Sequence, residues 1–239
     1  MIMATTAMKS VGRRTSPATG GQSIVLHDVD WRTYKKVSDA FRERHIRFTY
    51  DRGMLEIMTL SSEHESPKKL IGRFVDVLTE ELNLPVRGIG STTLRRKTQL
   101  RGLEPDDCYY VKNAPLVLHK KRIDLRVDPP PDLAVEVDVT SSSVDRMGIY
   151  AVLRVPEVWR YDGQALRVFL LNALGEYVES DHSLSFPTLP VGELNHFLGQ
   201  WLEKDDTTII RQFRAWVREK VVPASKAAGK RERPRRKSK

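Results

Sequence analysis

Two apolar runs interrupted by carboxylates constrain this chain more than any other feature. Asp106-Asp-Cys-Tyr-Tyr-Val111 follows Pro105, and a second run reads Pro131-Asp-Leu-Ala-Val-Glu-Val-Asp-Val139. Both have the composition of short strands. In the second, Leu133, Val135, Val137 and Val139 share one face, while Asp132, Ala134, Glu136 and Asp138 share the other. Burying an unpaired carboxylate costs several kcal/mol or more, so a strand in an apolar setting collects carboxylates on one face only beside a cation or a partner. A hard divalent cation such as Mg²⁺ suits the arrangement, because it takes oxygens from one or two carboxylates and completes its shell with water and phosphate oxygens. The competing arrangement is a solvated face on which Glu136 and Asp138 pair with surface Lys or Arg.

The rest of the chain narrows the setting. Its 239 residues with 40% hydrophobic content suffice for one sizeable domain. The single cysteine, Cys108, excludes an intramolecular disulfide, and the six histidines lack zinc-site spacing. A reducing, cytoplasmic protein is the expectation, with no membrane segment, since no apolar run approaches the ~20 residues a spanning helix needs. The formal charge of +9 lies in the ends: residues 226–239 hold eight Lys or Arg against one Glu, and Lys9, Arg13 and Arg14 lie in the first 22 residues. What lies between is close to neutral. Such a basic tail binds phosphate backbones without sequence preference, or serves as a solubilising end.

Residues 1–22, ending Ser16-Pro-Ala-Thr-Gly-Gly-Gln22, read as a disordered tail. A domain is expected over 23–203, a C-terminal helix over 204–220 and a basic disordered tail over 221–239. Asp28 or Asp30 can cap a helix starting near Trp31, and Asp51-Arg-Gly53 marks a hairpin turn. Leu70, Ile71, Phe74, Val75, Leu78 and Leu82 form the apolar face of a longer helix; Ser66 is its expected cap and Pro67 its first residue, which leaves Glu63-His64-Glu65 as a loop. Residues 92–100, 108–112, 133–139, 158–161, 165–171 and 176–178 are expected strands. Thr140-Ser-Ser-Ser143 caps a short helix over 144–153, and closing helices are expected over 194–201 and 207–219.

Asp106, then Glu136 on the next core strand, then a cation, resembles the order of groups in PD-(D/E)xK nucleases. A longer resemblance, over about residues 45–200, is to a bacterial family of restriction-endonuclease-like proteins, the Uma type. It is carried by Tyr50-Asp-Arg-Gly-Met-Leu-Glu-Ile-Met58, Ser61-Ser-Glu-His-Glu65, Glu104-Pro-Asp106, Pro130-Pro-Asp-Leu-Ala-Val-Glu-Val137, Val155-Pro-Glu-Val-Trp-Arg-Tyr161 and Phe186-Pro-Thr-Leu189. The resemblance implies an α/β fold, a restriction-endonuclease-like mixed sheet flanked by helices. It implies hydrolysis of DNA phosphodiesters with Mg²⁺ or Mn²⁺, the metal held by Asp106 and Glu136, and Asp138 as a further carboxylate. It also implies an acidic residue from an early helix near the metal, Glu65 first and His64 second. Cutting both strands of a duplex would suit a two-fold homodimer.

The chain departs from the superfamily pattern two residues after Glu136, where Asp138 stands in place of Lys. The resembling family draws its cation from the following helix, and here that position offers Arg146, at helical spacing with Ile149, Tyr150 and Leu153. An inward Arg146 has two uses. It can clamp a phosphate, though it cannot relay protons near neutrality; or it can pair with Glu136 or Asp138 and lock the fold. The second use belongs to a catalytically weak DNA-binding or structural module that keeps the nuclease fold. Lys68 and Lys69 read as a solvated helix face, and Tyr109, Tyr110, Trp201 and the run Trp159-Arg-Tyr161 as packing.

Overall fold

The computed structural model describes residues 22–41, 46–59, 62–138 and 144–231. The first layer opens with β1 (Ser23–Leu26), α1 (Trp31–Ala40) and the hairpin β2 (Ile46–Asp51) and β3 (Met54–Thr59). Asp30 caps α1 by accepting from the Thr33 amide at 2.7 Å. Arg52 and Gly53 both take positive φ in the two-residue hairpin turn, the geometry that matches the twist of the paired strands. Next come α2 (Ser62–Leu82), β4 (Arg87–Gly88), β5 (Leu94–Arg96), β6 (Arg101–Leu103), β7 (Asp107–Tyr110), α3 (Ala114–Val117) and β8 (Leu133–Val137). The chain ends with α4 (Arg146–Leu153), β9 (Glu157–Tyr161), β10 (Leu166–Leu171), β11 (Tyr177–Ser180), α5 (Val191–Leu198), α6 (Asp206–Trp216) and α7 (Val222–Arg231).

Two sheets result, ordered β1-β3-β2-β6-β5 and β11-β10-β9-β8-β7-β4. Every pairing is antiparallel except β8 with β9, which α4 joins as a βαβ crossover. The fold is thus mixed α/β with helices flanking the sheets, as a restriction-endonuclease-like core requires. One face of the six-stranded sheet, with Leu133, Val135, Val137 and Trp159, packs on Leu70, Ile71, Phe74 and Leu78 of α2 and on Ile209 and Phe213 of α6. Each of these fully buried side chains stabilises by about 1.5–3 kcal/mol. On the other face, Ala134 and Val158 meet Ile149, Tyr150 and Leu153 of α4 and Leu94 and Leu103 of the five-stranded sheet. Helix α4 therefore lies where both sheets can reach it.

Three elements differ from their sequence reading. Helix α2 starts at Ser62, not at Pro67, so Glu65 is helical and Ser66 is no cap. Pro67 removes only the bond to the Glu63 carbonyl, a tolerable loss near an end whose first amides have no helical partner in any case. Residues 92–100 are not one strand: Lys97–Gln99 form a 3₁₀ turn and Leu100 takes φ +50, folding β5 back on β6 without a Gly or Pro to announce it. The basic C-terminal segment is helical through Arg231 rather than irregular from 221. There a π turn over Val217–Val221 precedes Pro223 and absorbs the missing proline amide, while Val217 and Val221 stay in the core. Residues 1–21, the Thr140–Ser143 cap, the side chains of Glu63 and His64, and the tail from 232 lie outside the described residues.

Candidate active site

The register of β7 on β8 pairs Asp107 with Val135 and Cys108 with Ala134. One step further sets Asp106 opposite Glu136, and directly opposed residues point to the same face. That face is the one covered by α4. Asp106 and Glu136 are 4% and 6% exposed. The Val137 amide donates to Asp106 Oδ2 at 2.7 Å, which fixes the first carboxylate against the strand that carries the second.

Arg146, the first residue of α4, points inward between the sheets. Its Nε donates to Glu136 Oε2 at 3.2 Å and its Nη2 to Glu136 Oε1 at 2.6 Å. Nη2 also reaches the Glu104 carbonyl at 2.9 Å, and Nη1 reaches Thr49 Oγ1 of β2 at 2.5 Å. The Tyr150 hydroxyl, one turn along α4, donates to Glu136 Oε1. One guanidinium thereby ties both sheets to the acidic row.

Further polar groups, which the periodicity of β2 and β3 conceals, surround this row. Glu104 is buried, accepting from Thr93 Oγ1 at 2.8 Å and from the Phe48 amide. Glu56, fully buried, stands opposite Thr49 across β2 and β3. Arg47 is 9% exposed, its Nε lies 3.8 Å from Asp106 Oδ1, and among the described residues that Nε has no hydrogen-bond partner. Glu56, Glu104, Asp106 and Glu136 are thus gathered with Arg47 and Arg146 in one buried region.

Electrostatics follow from that crowding. Burial raises the Glu136 carboxyl above its ordinary value and the nearby Asp106 charge adds to the rise, while Arg146 and Tyr150 oppose it. Burial likewise raises Glu104, against the pull of Thr93, the Phe48 amide and the two arginines. For Arg146, burial disfavours the charge, but Glu136 outweighs it and holds the guanidinium firmly protonated.

The other sequence candidates separate from this row. Asp138 shares the Glu136 face but pairs with Arg160 Nη2 at 2.6 Å. Glu65 contacts Lys68 Nζ at 2.8 Å and lines a cleft of about 440 Å³ with Lys69, Gly72, Asp107 and Tyr109. Asp107 and Tyr109 alternate with Asp106 and Cys108, so this cleft opens on the sheet face opposite Glu136. Tyr109, Tyr110, Trp159 and Tyr161 are buried packing residues, as their sequence context implied. Asp132 holds the Val111 and Asn113 amides, each at 2.8 Å, and is a structural anchor rather than a site residue.

Among the described residues no group of three or more His, Cys, Asp or Glu is arranged to hold a metal. Mg²⁺ does not need one, since one or two carboxylates with water and phosphate oxygens satisfy it, and Asp106 and Glu136 offer such a pair on one buried face. The residues present fit such an ion. Residues 31–202 match the model of the family Uma2, "Putative restriction endonuclease", and the chain belongs to that family. No curated protein matches it.

Proposed function

We propose that this protein is a divalent-metal-dependent endonuclease that hydrolyses DNA phosphodiesters at the row formed by Asp106 and Glu136. The observation that carries the reading is that row: two carboxylates set opposite each other on one buried face. Membership of a family described as restriction endonucleases supports it. A bound Mg²⁺ or Mn²⁺ would polarise the scissile phosphate and lower the pKa of its attacking water. Asp106 and Glu136 supply the ligand oxygens. Arg146 and Tyr150 hold Glu136 in one orientation, and Arg146 cannot itself move a proton. Arg47 offers an unused Nε donor beside Asp106, suited to a phosphate oxygen. Asp138 steadies Arg160 next to the row, and Glu65 has no part in this chemistry.

A second reading, a structural or DNA-binding module without catalysis, is favoured by one observation: both oxygens of Glu136 already accept from Arg146 and Tyr150. Plasmid nicking separates the two. With Mn²⁺, the wild type should convert supercoiled DNA to open circles, and Asp106→Asn and Glu136→Gln should each lose that activity while remaining folded. Activity equal to wild type in both variants removes the proposal, and a wild type inert on every DNA tested favours the second reading.

A further inference from the structure

We infer that residues 112–126, part of the segment joining β7 to β8, are a preformed surface for the phosphate backbone of duplex DNA. Within them lie Lys112, Lys120, Lys121, Arg122 and Arg126 against Asp124, while the segment's other acids, Asp128 and Asp132, are buried, and the body of the chain is close to neutral. All five cations are exposed. Lys120 pairs with Asp128 and Arg126 with Asp124, but Lys112, Lys121 and Arg122 form no ion pair among the described residues.

Unpaired like charges on a mobile loop would simply spread apart in solvent. This segment is instead held from beneath. Arg87 donates from Nη1 to the Leu118 carbonyl and from Nη2 to the Lys120 carbonyl, both at 2.7 Å. Asp132 fixes its start through the Val111 and Asn113 amides, Asp128 accepts from the Asp124 amide at 2.8 Å, and Arg96 reaches the Leu125 carbonyl at 3.3 Å. Val117 and Leu125 are buried below. A rigid frame presenting unpaired cations outward lowers the ordering cost of binding a polyanion, and each phosphate neutralised releases counterions.

Exposed Leu116, Leu118 and Val127 lie among these cations, which raises an anionic lipid surface as the other partner. The observations favour DNA. Helix α3 has four residues, too few to present an amphipathic face to a bilayer. Lys112 also lies six residues from Asp106, about 20 Å at roughly 3.4 Å per residue, within one duplex turn of ~34 Å. The surface extends the nuclease reading by saying where the duplex lies, but binding by it does not depend on cleavage.

The test uses the full chain with Lys112, Lys121 and Arg122 all changed to Gln, in EDTA so that nothing is cut. Its control carries Arg32→Gln, Lys36→Gln and Lys220→Gln, which removes equal charge elsewhere. Anisotropy of a labelled duplex across 50–200 mM salt should show the first variant weaker on the order of 10²-fold, with its salt slope reduced by ~2.7. The control should change little, and melting temperatures should stay alike because all six side chains are exposed. Equal losses in both variants, no loss in the first, or binding to phosphatidylserine vesicles in place of DNA would each overturn the inference. A wild type that binds DNA normally but never cuts it would overturn the nuclease reading and leave this surface standing.

Discussion

Arg146→Ala should destabilise this protein by about 4 kcal/mol at neutral pH, because it strands a buried carboxylate. The 88% buried Arg146 side chain satisfies both oxygens of Glu136, Thr49 Oγ1 and the Glu104 carbonyl. Charge-assisted bonds contribute about 1.5–3 kcal/mol each, but desolvating the guanidinium offsets much of the sum, which returns the total to the ~3–5 kcal/mol typical of a broken buried pair. With a urea m-value of about 2–3 kcal/mol/M, the midpoint should fall by roughly 1.5–2 M. The loss also has a pH signature. Removing Arg146 takes away the main influence that lowers the Glu136 pKa, so the folded-state value rises further above the unfolded one. A group raised in this way is tolerated while protonated, so the deficit should be small near pH 4 and grow as pH climbs through the folded pKa. Glu136→Gln combined with Arg146→Ala should recover at least 2 kcal/mol of the loss. A deficit under 1 kcal/mol, independent of pH and additive with Glu136→Gln, would refute this view of the pair.

Arg47→Met should leave Mn²⁺ affinity unchanged or tighter, since it removes a cation beside Asp106, while lowering plasmid nicking by roughly 10²–10³-fold; calorimetry and gel assays on one preparation check both. Asp132→Ala should cost ~2–4 kcal/mol in urea unfolding, because the Val111 and Asn113 amides lose their acceptor. Glu81 is held below the ordinary carboxylate range by its hydrogen bond to Arg218, then by Arg214. A depressed pKa adds stability above the unfolded value that fades as pH falls, so Glu81→Gln should cost about 1 kcal/mol at pH 7 and almost nothing near pH 3 in thermal melts.

Half of the candidate site was legible because strands declare their faces. Asp106 and Glu136 interrupt apolar runs at positions where alternation demands burial, and Arg146 stands at helical spacing from Ile149, Tyr150 and Leu153. The other half comes from the second sheet. Arg47 and Thr49 in β2 alternate with Phe48 and Tyr50, and Glu56 in β3 follows Leu55; such patterns normally mean one wet face. Here that face is covered by α4, a contact between residues about a hundred positions apart that no local periodicity encodes. The misread hairpin of β5 and β6 has the same origin. Leu100 enters the left-handed region because pairing on both sides holds it there, although its residue type gives no turn signal. Ser66 is not the cap because α2 begins one turn earlier, at Ser62, and carries Pro67 inside it.

The most direct test of the central claim is an anomalous difference map from crystals soaked in Mn²⁺. The account predicts a peak about 2.1–2.3 Å from carboxylate oxygens of both Asp106 and Glu136, absent in Asp106→Ala crystals soaked alike. A map without that peak, with the Arg146 guanidinium still seated on Glu136, would contradict the account.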